Sequence, residues 1–344
     1  MTLSPKPKIV VIGAGAVGSL IGGLLARAGE NVTLVARQAH VEAIRAKGLR
    51  IKGILGELTI TIKATEGLDF RPDLALLAVK TQDVESACRP SIAYLGDTPI
   101  VTLQNGVRSD EIVASLLPRE NVISGVVMLN AQFLTAGEIT YARGGLLVIG
   151  EAFGPNGQRA REIQALLRRA IRTEVSDDIR AAHWTKLLMN NLANGLEAMT
   201  GLTVGECMRY PGLRKIGVWT LKEGYRAMKK TGLRLAPLPG IPLRLLMFVI
   251  RSPLPVAAWL LGLSMGSLET LSSTLQSLRR SRPTEIDYLN GEIVRLGQAA
   301  GMATPYNSKV VELVGHVEKS GQFYTPADLI DRFRHSDLNS EWRT

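Results

Sequence analysis

Short runs of β-branched residues alternate with helical patterns over the first half of the chain. Runs bounded by polar or glycine residues predict strands, and patterns with a period near 3.6 residues predict helices. The predicted strands cover residues 9–12, 31–35, 73–79, 99–103, 122–129, 138–141, 146–149 and 173–175, with a β-rich stretch at 49–62. The predicted helices among them include 82–94 and 157–172. This alternation is typical of an α/β fold with a parallel sheet.

The hydrophobic pattern changes about half-way along the chain, where strand patterns almost disappear and helical ones dominate. We therefore expect two domains, an α/β domain over residues 1–177 and an all-α domain over residues 178–344. Within the second domain a helix is predicted to begin at Pro283-Thr284-Glu285, because proline and an acidic residue both favour the first turn of a helix.

An apolar stretch over residues 234–266 contains five prolines and differs from the rest of the second domain. Its longest charge-free run, 252–268, is shorter than the ~20 residues of a membrane-spanning helix, so the pattern argues against a transmembrane segment. We expect helices that are buried against the second domain or against a partner subunit in a homodimer. A mobile lid and an interfacial helix carrying Arg244 and Arg251 are the alternatives, and membrane contact is the least favoured of them.

Composition narrows the classes of function. The chain has 344 residues, 46% of them hydrophobic, and a formal net charge of +10, which suits a protein with anionic ligands. A nucleic-acid partner is not expected, because no binding motif and no interleaved aromatic and basic residues accompany the charge. The two cysteines, Cys88 and Cys207, indicate reduced thiols in a cytoplasmic protein. No metal site is predicted, since the histidines and cysteines lack ligand spacing.

A glycine-rich turn joins the first predicted strand to a helix of small residues. It follows the G-x-G-x-x-G pattern and comprises Gly13, Ala14, Gly15, Ala16, Val17 and Gly18. In such a turn the first glycine allows the sharp bend, the second lets a pyrophosphate approach the backbone, and the third lets the helix pack on the sheet. Because a second strand follows at βαβ spacing, the sequence predicts a dinucleotide site. A glycine-rich helix without a ligand is the alternative.

Three polar residues follow strands of the predicted sheet. Arg37 comes after the second strand, where an NAD site usually has an acidic residue that binds the ribose 2′-hydroxyl. A guanidinium at this position favours the 2′-phosphate of NADP, unless it is a solvated surface group. Lys80 and Asn105 follow the next two buried strands, so we expect them at the crevice beside the cofactor. A surface lysine and an ordinary Asn-Gly turn are the alternatives.

The first helix of the second domain carries a polar stripe. Lys186, Asn190 and Asn194 are spaced i, i+4, i+8, so an amine and two carboxamides project from one face about 12 Å long. Asparagine is a poor helix former, and the surrounding positions are largely apolar. The stripe therefore indicates a binding surface, or else a face that is only solvated.

Several segments, in order along the chain, resemble the ketopantoate reductase family, also called 2-dehydropantoate 2-reductase. They are the glycine-rich turn, Val79-Lys80, Gln104-Asn105-Gly106, Trp184-Thr185-Lys186 with Asn190 and Asn194, Ser273 with Leu275-Gln276, and R-P-T-E-I-D-Y-L-N-G at residues 282–291. The resemblance covers about residues 8–316, nearly the whole chain. It implies a Rossmann domain followed by an all-α domain of the 6-phosphogluconate dehydrogenase C-terminal-like type.

The resemblance also implies an activity, the NADPH-dependent reduction of a 2-oxo acid, with ketopantoate converted to pantoate in pantothenate biosynthesis. It implies that Lys186 is the general acid and Glu285 its acidic partner, and we expect the two to face each other across the interdomain cleft. The implied substrate ligands are Asn105, Asn190, Asn194 and Ser273, with Ser273 on the carboxylate. The implied neighbours of the nicotinamide are Lys80 and Asn105.

Four features depart from the family pattern. Val204 stands where some members have a further asparagine, and Ser277 stands where an aspartate is common. The apolar stretch at 234–266 lengthens the second domain, and the tail beyond about Glu318 lies outside the resemblance. These departures leave open a different 2-oxo acid substrate, a related 3-hydroxyacid dehydrogenase, or a non-catalytic NADP-binding sensor.

Overall fold

The computed structural model describes residues 4–265 and 271–334. The chain divides into two compact units, Met1–Arg180 and Ala181–Thr344, and this division falls a few residues after the boundary predicted at 177/178. The first unit combines strands and helices, whereas the described part of the second is built from helices.

Residues 4–178, in the described part of the first unit, contain twelve strands and six α-helices. The strands are β1 (Lys8–Ile12), β2 (Asn31–Val35), β3 (Leu49–Gly53), β4 (Leu58–Ile60), β5 (Lys63–Thr65), β6 (Leu74–Leu77), β7 (Ile100–Thr102), β8 (Val122–Val127), β9 (Asn130–Thr135), β10 (Glu138–Arg143), β11 (Leu147–Glu151) and β12 (Thr173–Val175). The helices are α1 (Ala16–Arg27), α2 (Gln38–Lys47), α3 (Val84–Cys88), α4 (Ile92–Leu95), α5 (Ser109–Ala114) and α6 (Gln158–Leu167).

The main sheet of the first unit has eight strands in the order β12-β11-β8-β7-β6-β1-β2-β5. Strand β1, the sixth in this order, pairs in parallel with β2 and with β6, and only the pair of β8 and β11 is antiparallel. The six strands from β8 to β5 follow the Rossmann order, which reverses at β1. The predicted Rossmann fold is therefore confirmed, and ligands of such sheets bind at the carboxyl ends of the strands beside this reversal.

Helix α1 packs between the main sheet and a second sheet with the order β4-β3-β10-β9. Two neighbouring glycines face the two sheets. A Cβ on Gly22 would lie 2.6 Å from Leu34 Cδ2 in the main sheet, and a Cβ on Gly23 would lie 2.8 Å from Leu49 Cδ2 in the second sheet. Because both distances are far below van der Waals contact, only a helix with small residues here can lie close to both sheets.

Two stretches of the first unit differ from the sequence prediction. The helix predicted at 82–94 is broken, with α3 and α4 separated by a 3-10 turn at Arg89–Ser91. Pro90 lies in this interruption, and a proline cannot donate the backbone hydrogen bond of a helix interior. The strand predicted at 122–129 ends at Val127, and β9, which was not predicted, follows and pairs with β10.

The second unit contains nine helices within its described residues, the first of which starts just before the division between the units. They are α7 (Ile179–Thr200), α8 (Val204–Met208), α9 (Pro211–Lys230), α10 (Leu243–Arg251), α11 (Leu254–Met265), α12 (Ser273–Leu278), α13 (Asn290–Ala299), α14 (Pro305–Ser320) and α15 (Pro326–Arg334). Together with the sheets of the first unit, they confirm the predicted fold class of a Rossmann domain followed by an all-α domain.

The predicted helix start at Pro283-Thr284-Glu285 is wrong. A 3-10 turn occupies Ile286–Tyr288, and the helix that follows, α13, begins at Asn290. The Thr284 N–H donates to Glu318 Oε1 at 2.6 Å, and the Ile286 N–H donates to the hydroxyl of Thr284 at 3.2 Å. Because these backbone groups have partners outside a helix, Glu285 is held in a turn that is fastened to α14.

Helix α9 is the central helix of the second unit and contacts α8, α10, α11, α13, α14 and α15. Its buried Glu223 accepts hydrogen bonds from the backbone N–H groups of Tyr306 and Asn307, each at 2.9 Å, and from Asn307 Nδ2 at 2.8 Å. The carboxylate thereby binds the first turn of α14, whose N–H groups have no partner within the helix. Burial raises the pKa of Glu223 to about 7, against the opposing effect of these hydrogen bonds.

The apolar stretch at 234–266 forms α10 and α11, which pack on α9 and on each other. Lys222 Nζ on α9 donates to Ser252 O, between the two helices, at 2.6 Å. One face of each helix is buried, as predicted, through Leu246, Val249, Ile250, Leu254, Ala257, Ala258 and Leu261. Across residues 4–265 and 271–334, no helix combines the length and the apolar character needed to cross a membrane.

Candidate active site

The glycine-rich turn leaves the carboxyl end of β1, between β2 and β6. Gly13 has a φ of +91°, a left-handed conformation that favours glycine. The N–H groups of Gly13 and Ala14 donate to Val35 O at 3.1 and 3.0 Å, and a Cβ on Gly13 would lie 2.6 Å from the Val79 nitrogen. The turn is therefore fixed against the ends of both neighbouring strands.

The start of α1 has space for an anionic ligand. Gly15 precedes the helix without a side-chain cap, and a Cβ added to it would meet no atom within 4 Å. A Cβ on Gly18 would instead lie 2.5 Å from Gly13 O, so this glycine lets the helix approach the turn. Free N–H groups at an uncapped helix N-terminus attract phosphate groups. The turn from Gly13 to Gly18 thus has the geometry that a pyrophosphate requires.

A buried histidine, which the sequence analysis did not identify, supports this turn. Ser19 Oγ donates to Ala14 O at 2.9 Å, and His40 Nε2 lies 3.0 Å from the same hydroxyl oxygen. His40 Nδ1 accepts the Gly137 N–H at 2.8 Å, which assigns the ring proton to Nε2. Burial lowers the pKa of His40 and favours this neutral form. His40 therefore connects the turn to the second sheet.

The loops after β6 and β7 are tied to each other at the same edge of the sheet. Buried Gln104 donates through Nε2 to Leu77 O at 2.8 Å, and Thr81 Oγ1 donates to Asn105 O at 2.9 Å. These bonds hold Lys80 and Asn105 at the carboxyl ends of neighbouring strands, where both residues are partly buried. Their contact with a cofactor stays a prediction.

Arg37 lies two residues beyond β2 and immediately before α2. Its side chain is exposed. The Ala36 N–H donates to Thr65 O at 2.9 Å, which holds this end of the segment against β5. The sheet therefore presents an accessible guanidinium where an NAD site usually has a carboxylate.

In the second unit, Lys186, Asn190 and Asn194 are partly exposed, while most positions between them on α7 are buried. Burial lowers the pKa of Lys186 to about 8, and the negative charge of Glu285 opposes this shift. Glu285 is itself buried and belongs to the same unit as Lys186. The expected placement of the two on opposite sides of an interdomain cleft is therefore wrong, whereas their electrostatic interaction is present within one unit.

Ser273 is exposed at the start of α12, and a second carboxylate that sequence patterns did not reveal supports it. The preceding Ser272 caps this helix with its hydroxyl, and its N–H donates to Glu197 Oε2 at 3.2 Å. The other oxygen of Glu197 accepts the Val204 N–H at 3.1 Å. Glu197 follows Asn194 by one turn of α7, so this buried carboxylate connects the helix of the polar stripe to the Ser273 turn.

Neither metal ligands nor reactive thiols accompany these residues. Within the described ranges, no group of three or more His, Cys, Asp or Glu side chains is arranged to hold a metal ion. Cys88 and Cys207 are free and buried, and burial raises their thiol pKa values to about 11 and about 12. Thiols with such pKa values are poor nucleophiles at neutral pH.

Two family models match the chain, one in each unit. The model described as ketopantoate reductase PanE/ApbA matches residues 9–154, and the model of the ketopantoate reductase PanE/ApbA C terminal matches residues 178–318. Together they cover well over half of the 344 residues. The chain belongs to the ketopantoate reductase family.

Individual relatives agree with this assignment. The 2-dehydropantoate 2-reductase of Pyrococcus horikoshii is 31% identical over 316 residues, which cover 91% of this chain and 98% of the relative. A PanE/ApbA family ketopantoate reductase from Ralstonia eutropha JMP134 has a crystal structure with 32% identity and a TM-score of 0.77, covering 90% and 98% of the two chains. A D-mandelate dehydrogenase complex with NADH is 25% identical, with a TM-score of 0.77 and coverage of 91% and 99%. As a family member, the chain is an oxidoreductase that acts on CH–OH groups.

The residues that depart from the ketopantoate reductase pattern lie around the Ser273 turn. Val204 starts α8 and is bound through its N–H to Glu197, which also holds the Ser272 N–H. Ser277 Oγ donates to Ser273 O at 2.9 Å. Val204 is therefore bonded to the carboxylate that holds Ser272, the neighbour of Ser273, and Ser277 is bonded to Ser273 itself. Ser273 is the residue that the family resemblance assigns to the substrate carboxylate.

Proposed function

We propose that this ketopantoate reductase family member reduces a 2-oxo acid to a 2-hydroxy acid with NADPH, and that 2-dehydropantoate is the substrate and pantoate the product. The observation that carries the proposal is the electrostatic interaction of the buried Glu285 with Lys186, the first residue of the polar stripe on α7. A pKa of about 8 keeps the Lys186 amine protonated at neutral pH and makes it a stronger acid than an ordinary lysine.

Lys186 acts as the general acid in the proposed reaction. The nicotinamide, when bound, supplies the hydride that forms the new C–H bond at the C2 carbonyl of the substrate. The electron pair of the C=O double bond moves to oxygen, and this oxygen takes the proton of Lys186 Nζ. An ammonium that hydrogen-bonds the oxygen stabilises the charge as it develops, so its contribution is largest in the transition state. Glu285 keeps the lysine charged and oriented.

The remaining polar residues are assigned to binding of the substrate and of the cofactor. The carboxamides of Asn190 and Asn194 can donate hydrogen bonds to oxygen atoms of the substrate, and the hydroxyl of Ser273 can donate to its carboxylate. In the first unit, the turn from Gly13 to Gly18 is assigned to the pyrophosphate. Arg37 is assigned to the 2′-phosphate, Lys80 to the nicotinamide side, and Asn105 to both nicotinamide and substrate.

The pKa of Lys186 predicts how the rate depends on pH. The general acid must carry its proton, so kcat/KM for reduction should fall by about tenfold per pH unit above pH 8. Glu285→Gln removes the charge that opposes the lowering of this pKa, and the decline should therefore begin at a lower pH than in the wild type. The measurement is the pH profile of kcat/KM, which reports the groups of the free enzyme.

A matched control for this profile is Glu312→Gln, which changes an exposed carboxylate of α14 that pairs with Lys309. This variant should keep the wild-type profile, since Glu312 does not act on Lys186. A profile that stays flat to pH 10, or a Glu285→Gln profile displaced towards higher pH, would contradict the assignment of Lys186 as the acid.

Arg37 should determine the preference for NADPH over NADH. Arg37→Ala should weaken NADPH binding by about 1.5–3 kcal/mol, the usual contribution of a hydrogen bond between charged groups, and should leave NADH binding nearly unchanged. Equilibrium titration of both cofactors measures this difference. Arg161→Ala, at an exposed arginine of α6, is the control and should alter neither affinity. Equal losses for both cofactors in Arg37→Ala would disprove the assignment.

A different 2-oxo acid is the second candidate substrate. It is favoured by the position of Val204 and Ser277 around the Ser273 turn, and by the similarity to D-mandelate dehydrogenase. NADPH oxidation with a panel of branched and aromatic 2-oxo acids distinguishes the two. The highest kcat/KM with 2-dehydropantoate supports the proposal. A higher kcat/KM with another acid would identify that acid as the substrate, and no NADPH oxidation despite NADPH binding would indicate a non-catalytic sensor.

A further inference from the structure

Helices α10 and α11 expose an apolar surface that the proposed reaction does not use. Ten large hydrophobic side chains are exposed among the described residues, and five of them lie on these two helices. We call these five the outer face, which consists of Leu245, Phe248, Val256, Trp259 and Leu263. Phe248, Trp259 and Leu263 are 56%, 59% and 67% exposed. Because single exposed hydrophobic residues are common but clusters are not, this concentration needs a partner.

The spacing of these residues places them on one side of each helix. Leu245 and Phe248 are three positions apart on α10, and Val256, Trp259 and Leu263 follow the pattern i, i+3, i+7 on α11. The positions on the opposite sides are the ones buried beneath the helices. The second unit thus covers one apolar face of each helix and leaves further hydrophobic side chains exposed on the other, where α10 also carries Arg244 and Arg251.

The helices that carry the outer face are fastened to α9. Lys222 Nζ binds Ser252 O where α10 ends, and a Cβ on Gly262 would collide with the guanidinium of Arg214. Through these contacts α9 holds α10 at its C-terminus and α11 at Gly262, three residues before α11 ends at Met265. The exposed rings therefore sit on a packed support and do not belong to a loose segment.

The chain around the outer face is strongly basic. Residues 224–265 contain six cationic side chains and no acidic one. All six are exposed, namely Arg226, Lys229, Lys230, Arg234, Arg244 and Arg251. Arg226 lies over the Trp219 ring and Lys230 Nζ donates to Gly301 O, so the charges argued for the outer face itself are those of Arg244 and Arg251 on α10. Arg244 and Arg251 lie on α10 at positions i−4 and i+3 relative to Phe248, so guanidinium groups lie on both sides of an exposed aromatic ring. An anionic partner complements this charge.

We propose that the outer face docks on the surface of an anionic lipid bilayer. Aromatic and leucine side chains enter the boundary between headgroups and acyl chains, and the arginines bind lipid phosphates. A second copy of the chain fits less well, because a two-fold contact would place two faces of the same positive charge against each other. The sequence pattern ranked burial against the second domain or a partner subunit above membrane contact, whereas the exposed outer face and the two arginines of α10 favour the bilayer.

Vesicle co-sedimentation with the full chain tests this proposal. The protein should sediment with vesicles of phosphatidylcholine and phosphatidylglycerol, but not with phosphatidylcholine alone, and salt should weaken the binding. The double variant Arg244→Gln/Arg251→Gln should bind about 30-fold more weakly, from about 1 kcal/mol for each arginine near the surface. Phe248→Ser/Trp259→Ser should weaken binding by more than about tenfold, since both rings leave the lipid boundary.

Leu134→Ser is the matched control, because Leu134 is 71% exposed on β9 of the first unit. It should sediment like the wild type, and all variants should keep the wild-type thermal midpoint because their positions are exposed. The proposal is overturned if the wild type ignores anionic vesicles, or if the paired variants bind as well as the wild type. It is also overturned if Leu134→Ser loses as much binding, or if Phe248→Ser/Trp259→Ser only dissociates a lipid-independent dimer in sedimentation velocity.

Discussion

Lys186→Ala is expected to lower kcat by roughly 10² to 10⁴ and to leave the affinity for NADPH nearly unchanged. The ammonium acts on negative charge that exists mainly in the transition state, so its removal affects the chemical step more than binding. Stopped-flow measurement of the reduction step and an NADPH titration separate the two effects. Lys229→Ala, at an exposed lysine of α9, is the control and should keep the wild-type kcat.

A double-mutant cycle tests whether Glu285 acts through Lys186. Glu285→Ala should lower kcat and raise KM, because a group that orients substrate and lysine also acts in the ground state. Since Glu285 and Lys186 interact within one unit, the double variant should be little slower than Lys186→Ala alone. Additive losses would assign Glu285 an independent function, and near-wild-type turnover of Lys186→Ala would remove the lysine from the mechanism.

Glu223→Ala is expected to reduce the free energy of unfolding by about 3–5 kcal/mol. The variant leaves the buried N–H groups of Tyr306 and Asn307 without acceptors and creates a cavity between α9 and α14. For a unit of this size, the loss corresponds to a fall in the thermal midpoint of roughly 6–20 °C. Differential scanning calorimetry measures it.

Two variants control for the Glu223 experiment. Glu312→Ala removes an exposed carboxylate from α14 and should cost less than about 1 kcal/mol, because surface ion pairs contribute little. Glu223→Gln keeps one acceptor oxygen, so its loss of unfolding free energy should lie between those of Glu312→Ala and Glu223→Ala. A Glu223→Ala protein as stable as the wild type would show that the first turn of α14 does not depend on this carboxylate.

The sequence predicted the parts of the site that depend on local chemistry. The strand before Gly13 and the helix after Gly15 follow from periodicity and glycine spacing, and the structure has both in place. The stripe of Lys186, Asn190 and Asn194 follows from helical geometry alone. Each of these features depends on a single helix, or on a strand and a helix that are adjacent in the chain.

The supporting residues could not be predicted in this way, because their partners are distant in sequence. Glu223 binds backbone groups more than eighty positions away, and Glu197 binds Ser272 at a separation of 75 residues. His40 on α2 likewise accepts a hydrogen bond from Gly137, which lies between β9 and β10 at a separation of 97 residues. The position of a carboxylate or imidazole with such a partner is not marked by the helical or strand periodicity of the sequence, because its burial is set by tertiary packing.

The wrong predictions also have tertiary causes. The segment from Pro283 to Glu285 has a favourable composition for a helix start, yet Glu318 captures the Thr284 N–H and holds the segment in a turn. Helices α10 and α11 were predicted to be buried against the second domain or a partner subunit because their stretch of sequence is largely apolar, and the structure buries only one face of each. Hydrophobic content predicts that a helix needs partners, but it does not state how many faces the rest of the unit covers.

The most direct test of the proposed function is a stoichiometric turnover experiment with purified protein, NADPH and 2-dehydropantoate. NADPH oxidation and product are measured together in the wild type and in Lys186→Ala. We expect one pantoate for each NADPH oxidised by the wild type, and a rate at least about 10²-fold lower in the variant. Absence of NADPH oxidation by the wild type with intact cofactor binding, or equal rates in the two proteins, would contradict the account.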